Sequence, residues 1–213
     1  MGVDEAGRGP VIGPLVIAGV VIASSQEDTL IEWGIRDSKT LSARRRELLA
    51  QRVHNLANRV EVLEISAKEI DTERKKKRSL NILEAEWMAK VLNKLKWDVA
   101  YVDASDVNAE RYGRIIFSQL TTPRKIVSEH KADSTYPIVA AASIIAKVRR
   151  DQRIREFHQK YGDFGSGYPN DPKTRRFLVG WIRKNSEFPE IVRKSWETAR
   201  EISATNRQGS LTD

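Results

Sequence analysis

Four carboxylates stand at the ends of apolar stretches: Asp4 and Glu5 in "VDEAGRGP", Asp103 closing "VAYVD", and Asp133 in "KADSTYP". Acids at several strand ends can converge above one sheet edge, and such a group stays ionised only beside a cation or takes up protons through raised pKa values. Mg²⁺ suits the set, because it takes oxygen ligands and is held by a few carboxylates together with substrate phosphates. Asp4 and Glu5 add a condition. Neighbours on a regular strand face opposite ways, so both reach one site only if the backbone bends, and Gly7 and Gly9 would permit that bend. Any one of these acids taken alone reads first as a turn residue or a surface ion pair, and spacing alone does not displace that reading. The string "GRG" carries a second chemistry: its glycines let backbone approach a phosphate or sugar, and Arg8 offers a fork of donors.

The elements that must position these groups are legible in outline. A strand beginning at Gly2 turns at "GRGP" and returns through Leu15 to Ile22, which makes an antiparallel start. Ser42 is an N-cap for the helical spacing of Leu48, Leu49, Val53 and Leu56, and "VEVLEIS" then alternates like a half-buried strand. Ser66 and Glu69 form a capping box for another helix start. "SLNILEAEWMAKVLNKLK" is an amphipathic helix, "VAYVD" a short strand, and a further helix begins near Ala109. "KIVSEH" is a strand leading to Asp133. The long helix "IVAAASIIAKVRRDQRIREFHQKYG" follows, its small-residue half packed on the sheet and its basic half solvated. After the loop "GDFGSGYPNDP" come helical segments over Pro172 to Asn185 and Pro189 to Thr205. The pattern is α/β, a mixed sheet flanked by helices with a helical C-terminal appendage.

Composition narrows the class of partner. The 213 residues are 40% hydrophobic, enough for a proper core, and 37 Lys and Arg against 29 Asp and Glu leave a net charge of +8. The pI near 9.7 favours a polyanion such as nucleic acid. With no cysteine there is no disulfide, thiolate nucleophile or cysteine-bound zinc, so any metal sits on oxygen or histidine. The uncharged run from Pro10 to Gln26 is short for a membrane helix, contains Gly13, Pro14 and Gly19, and follows acids where a signal peptide carries bases. The expectation is a soluble, cytoplasmic protein.

Taken in order, "DEAGRGP", "DSKTLS", "YVDASDV", "EHKAD", "AASIIAKVRRD" and "GDFGSGYPNDPKT" resemble ribonuclease HII, specifically its archaeal branch, from Val3 to about Arg176. The resemblance implies a ribonuclease H-like fold over residues 1–170, with 171–213 as a helical appendage ending in a flexible tail, working as a monomer. It also implies that Asp4, Glu5, Asp103 and Asp133 are both catalytic and metal-binding, holding two divalent ions, Mg²⁺ or Mn²⁺. The implied reaction hydrolyses the RNA strand of RNA/DNA hybrids and cleaves at ribonucleotides embedded in duplex DNA, leaving 3′-hydroxyl and 5′-phosphate ends. By the same resemblance Gly7, Arg8 and Gly9 read the ribonucleotide-to-deoxyribonucleotide junction, Tyr168 packs on the following deoxyribose, and Lys39, Ser143 and Lys147 contact the nucleic-acid backbone. Ser143 and Lys147, four apart, share a helix face.

Two rival functions share the basic charge. A DNA nuclease or recombinase of the same broad fold leaves "GRG" together with "GSGYP" unexplained; a nonenzymatic hybrid binder leaves four intact acids unexplained. The run "RKKKR" from Arg74 to Arg78 reads as a solvated loop, His130 as a hydrogen-bonded strand-end residue, and the five tryptophans as core or helix packing. In the tail "RQGSLTD", Gln208 and Leu211 are spaced as in the sliding-clamp binding motif, but the aromatic anchors that dominate such binding are missing, so the expectation is weak clamp binding or none.

Overall fold

The structure, a computed structural model, describes residues 1–35 and 41–209. Its strands form one five-stranded sheet in the order β3-β2-β1-β4-β5, from β1 (Gly2–Ala6), β2 (Leu15–Val21), β3 (Arg59–Ile65), β4 (Val99–Asp103) and β5 (Lys125–Glu129). The helices among the described residues are α1 (Glu27–Glu32), α2 (Ala43–Leu56), α3 (Ala67–Lys75), α4 (Leu80–Asn93), α5 (Ala109–Ser118), α6 (Ala132–Thr135), α7 (Pro137–Tyr161), α8 (Pro172–Lys184) and α9 (Glu197–Gly209). Strand β1 pairs antiparallel with β2, Asp4 opposite Ala18 and Glu5 opposite Ile17. Its other neighbour, β4, runs parallel, as does β5 beside β4. The sheet is therefore mixed, and the change of direction falls at β1.

Local sequence explains most boundaries. The Ser42 side chain accepts from the Arg45 amide, and Ser66 with Glu69 closes the capping box at the start of α3. Ser79, Asn108 and Asp171 cap α4, α5 and α8 in the same manner, and Pro172 fills the first turn of α8, where its missing N–H costs nothing.

The chain divides into two compact units, each discontinuous in sequence. One comprises Met1–Ala6, Val16–Glu64 and Ser79–Arg149. Its core joins Val16, Ala18 and Val20 of β2 to Leu49 and Val53 of α2 and to Val139–Ala142, Ile144 and Ile145 of α7. The alanines keep that face of α7 narrow, which suits a helix lying on a sheet. The other unit gathers Gly7–Leu15, Ile65–Arg78 and the chain from Arg150 onward. Its core is Val11, Ile12, Ile154, Phe164, Leu178, Ile182, Phe188, Ile191, Val192, Ala199 and Ile202.

One expected helix is displaced. Pro189 to Thr205 does not form one helix; α9 starts at Glu197 and runs to Gly209. A turn closed by Val192 N on Pro189 O leads instead to an isolated bridge: Val192 bridges Ile12, the Ile191 carbonyl accepts from Gly13 N at 2.9 Å, and Arg193 N donates to Val11 O at 2.9 Å. These backbone groups are satisfied by a distant stretch of chain, which a local helical pattern cannot register. The last helix consequently reaches Gln208, and Leu211 lies outside the described residues.

Candidate active site

Parallel pairing between β1 and β4 aligns Gly2 with Tyr101 and Val3 with Val102, so the next step along each strand brings Asp4 level with Asp103. Asp133 enters from the first turn of α6, after Lys131 in a left-handed conformation at φ 56°. Asp4, Asp103 and Asp133 each offer a ligand oxygen, and these oxygens lie within 4.8 Å of one another. Asp4 and Asp133 are buried and Asp103 is half-buried. The cluster sits where β1 meets a parallel neighbour on one side and an antiparallel one on the other, at the carboxyl ends of β1 and β4, the edge where open sheets commonly bind ligands.

Each acid is held by its surroundings. Asp4 Oδ1 accepts the Glu5 amide at 2.7 Å, and Asp103 Oδ1 accepts the Ala132 amide at 3.2 Å. The Ser134 hydroxyl donates to Asp133 Oδ1 at 3.2 Å. Ser143, on α7, hydrogen-bonds Asp4 through its side chain and accepts from Lys147 Nζ at 2.8 Å. The two α7 residues that share a helical face thus form a line from an ammonium to a clustered carboxylate.

Glu5 is not one of the three acids whose oxygens cluster, but its side chain hydrogen-bonds that of Asp4. Strand β1 keeps its pairing with β2 through Ala6. Glu5 nevertheless belongs to the same electrostatic group: burial first, then Asp4 and Glu84, push its pKa well above the usual carboxylate range. Burial, with Asp103 adding to it, raises Asp4 to about 6. The Oε2 atom of Glu5 is enclosed and has no hydrogen-bond partner. A desolvated cluster of hard oxygen donors with one unsatisfied carboxylate oxygen beside it fits a divalent cation, which would favour the ionised forms that burial opposes.

Glu84 was not anticipated. It is fully buried on α4, accepting from the Tyr112 hydroxyl at 3.1 Å and from Ser105 Oγ. The signal was present: Glu84 is four residues before Met88 and seven before Val91, on the apolar face of its helix, where an acid without a partner is costly. His130 behaves as expected, its Nδ1 3.2 Å from the Ala104 carbonyl. In the "RKKKR" run, Lys76 and Arg78 pair with Glu73.

The "GRG" stretch and Tyr168 belong to the second unit. Gly7 has φ +91°, and a Cβ there would meet the Pro14 carbonyl oxygen at 2.5 Å, so both conformation and space require glycine. A Cβ on Gly9 would lie 3.4 Å from the Tyr168 ring, which is exposed, with the Arg150 guanidinium 5.5 Å from its centroid. Arg150 Nη2 also donates to Ser166 O at 2.9 Å, two residues before Tyr168. Lys39 lies outside the described residues. No described helix is long and apolar enough to cross a membrane.

A family model described as ribonuclease HII matches residues 1–199. The chain belongs to the ribonuclease HII family. Ribonuclease HII of Thermococcus sibiricus is 48% identical over 203 residues, covering 94% of this chain and 89% of that protein. The solved ribonuclease H2 of Pyrococcus horikoshii superposes with a TM-score of 0.92 at 45% identity, covering 97% of this chain and 98% of that one. A structure of the PCNA:RNase HII complex from Archaeoglobus fulgidus gives 0.86 at 46% identity, covering 94% and 95%. The fold is thus ribonuclease H-like, a mixed sheet flanked by helices with a helical C-terminal region, and the protein is a metal-dependent endoribonuclease of the ribonuclease H type.

Proposed function

We propose that the chain hydrolyses the RNA strand of RNA/DNA hybrids and cuts at ribonucleotides embedded in duplex DNA, with Asp4, Glu5, Asp103 and Asp133 as its catalytic, metal-holding residues. The observation that carries this reading is the convergence of Asp4, Asp103 and Asp133 oxygens within 4.8 Å at the carboxyl ends of β1 and β4. Two Mg²⁺ or Mn²⁺ ions bound there would supply an activated water and charge stabilisation at the leaving O3′. The residues themselves divide the remaining work. Asp4, Asp103 and Asp133 bring negative charge to one point; Glu5 adds its own through Asp4. Ser143 orients the Asp4 carboxyl, and Lys147 orients Ser143 while offering an ammonium to a backbone phosphate. The oxygen of the attacking water joins phosphorus as the P–O3′ bond breaks, leaving a 5′-phosphate and a 3′-hydroxyl, with no protein nucleophile.

Substrate selection belongs, in this proposal, to Gly7, Arg8, Gly9 and Tyr168, with Lys39 a further backbone contact. The adjacency of Gly9 to the Tyr168 ring supports a shared surface for sugar and backbone. The protein works in the cytoplasm. A sliding clamp is a second, weakly bound partner on this reading, supported by the Archaeoglobus fulgidus complex and by the spacing of Gln208 and Leu211, whose aromatic anchors the sequence lacks. The deciding experiment incubates a duplex carrying one ribonucleotide with Mg²⁺ or Mn²⁺ and resolves the products on a gel. A single cut at the ribonucleotide, abolished by EDTA, supports the proposal. Binding without cutting assigns a hybrid binder, and equal cutting of all-DNA duplex assigns a DNA nuclease.

A further inference from the structure

The carbonyls of the "GRG" stretch are all occupied from the other end of the chain. Arg193 is fully buried, and its guanidinium donates to Gly7 O at 2.5 Å, to Arg8 O at 2.9 Å and to Gly13 O at 3.0 Å. The third carbonyl, that of Gly9, accepts from the Trp196 indole Nε1–H at 3.1 Å. Arg193 and Trp196 also hold each other, the guanidinium 4.7 Å from the Trp196 ring centroid. The segment bearing them is fixed in turn by buried Asp71, which accepts Lys194 N at 2.7 Å and Ser195 N at 2.9 Å. The Trp196 ring is also visited by Arg74, from the basic run, at 5.6 Å.

Peptide geometry gives this arrangement a direction. No described peptide bond is cis. In a trans peptide the carbonyl and the following N–H point opposite ways. Tying down Gly7 O and Arg8 O therefore aims the amides of Arg8 and Gly9 away from the guanidinium. Both are then preset as donors on the side of the loop away from the guanidinium. A loop of two glycines would otherwise sample many conformations and lose that freedom on each binding event.

We propose that Arg193 and Trp196 are positioning residues for ribonucleotide recognition: by capturing the three "GRG" carbonyls, they preset the Arg8 and Gly9 amides toward the substrate, with Asp71 holding their segment in place. The proposal rests on the reading above that "GRG" meets the substrate. It differs from a purely structural role in what it predicts for selectivity.

The test uses the full chain and Trp196→Phe, which keeps an aromatic ring for Arg193 and removes the donor to Gly9 O. A duplex with one ribonucleotide gives KM, and the same duplex made wholly of DNA, added as competitor, gives Ki. The ratio Ki/KM reports recognition of the ribonucleotide, whereas a loss of folded enzyme lowers only the maximal rate. The expected result is a fall in the ratio of about three- to tenfold, the scale of one hydrogen bond, with Ki nearly unchanged. Arg193→Lys, which keeps a charge but cannot span three carbonyls, should lower it further. Gly9→Ala and Arg8→Ala probe the loop itself. If neither changes the ratio, the "GRG" reading fails and takes this proposal with it. If either lowers it while Trp196→Phe leaves it at the wild-type value, the loop reading stands and the positioning role is overturned. The double variant Trp196→Phe/Gly9→Ala should lose less than the product of the two single effects, and full additivity also overturns the proposal.

Discussion

At the carboxyl ends of β1 and β4, acids are crowded into a buried space, and two of the acids there have pKa values pushed upward. In the "GRG" stretch the reverse holds: one buried cation is surrounded by three carbonyl oxygens and an indole ring. On the proposed reading, the first region is completed by a cation and the second is complete before any ligand arrives. A site for chemistry would then be kept electrostatically unsatisfied at a point where a metal relieves it, while a site for recognition would spend its interactions on fixing its own backbone in advance.

This contrast can be broken most directly at the carboxylates. Asp4→Asn or Asp103→Asn should lower cleavage at least about a hundredfold while hybrid binding largely survives, the scale of a lost electrostatic contact to the transition state. Near-normal single-turnover rates in both variants would dissolve the contrast at its chemical end. The strain itself is measurable in EDTA. Folded Asp4 keeps its proton up to about pH 6, whereas an unfolded aspartate releases it near 3.9, so between these values the folded state binds more protons. Stability should therefore fall as pH rises from about 4 to 6, by roughly 1–3 kcal/mol from this group, and stay lower above. Urea unfolding of wild type and Asp4→Asn across that range checks the sign: the variant should lack this component, and Mg²⁺ at pH 7 should restore wild type. Identical pH dependence in both proteins would mean that the centre is not strained.

Smaller effects sharpen the recognition side. Tyr168→Ala should reduce cutting at a single embedded ribonucleotide severalfold more than cutting within continuous RNA, measured as kcat/KM on both substrates; equal losses would make Tyr168 a loop anchor. Smallest is Lys147→Ala, which should lower the slope of log affinity against log salt by about one if its ammonium neutralises one phosphate. An unchanged slope would confine Lys147 to its bond with Ser143.

How far each region could be read from the chain follows the same division. The acids were visible because each ends an apolar run, and strand periodicity with helix caps placed β1, β4, α2, α3 and α4 close to where they lie. Periodicity alone set Asp4 and Glu5 on opposite faces, yet their side chains hydrogen-bond each other while β1 keeps its register with β2. What stayed hidden depends on long-range partners. The Arg193 string has no local mark of a buried guanidinium, and Ile191 and Val192 looked helical because the strand-like contacts they make, with Gly13 and Ile12, come from the far end of the chain. Glu84 was hidden differently: its partners Ser105 and Tyr112 follow it by a strand and a helix, though its place among apolar neighbours was legible.

The bond from Arg193 to Gly7 spans 186 positions in the chain, and this has a consequence for synthesis. Every residue of the unit that carries the clustered acids has been translated once Arg149 is made. The stretch that follows Asp4 and Glu5 by only a few residues must wait for Arg193 and Trp196, which are translated after that unit. On the proposed reading, order of emergence separates chemistry from recognition, because a nascent chain owns its clustered acids well before it owns the support for the loop that follows them in sequence. A contact of such separation costs more loop-closure entropy before it forms than a local one, so a loop translated early is held in place only after the guanidinium has been made.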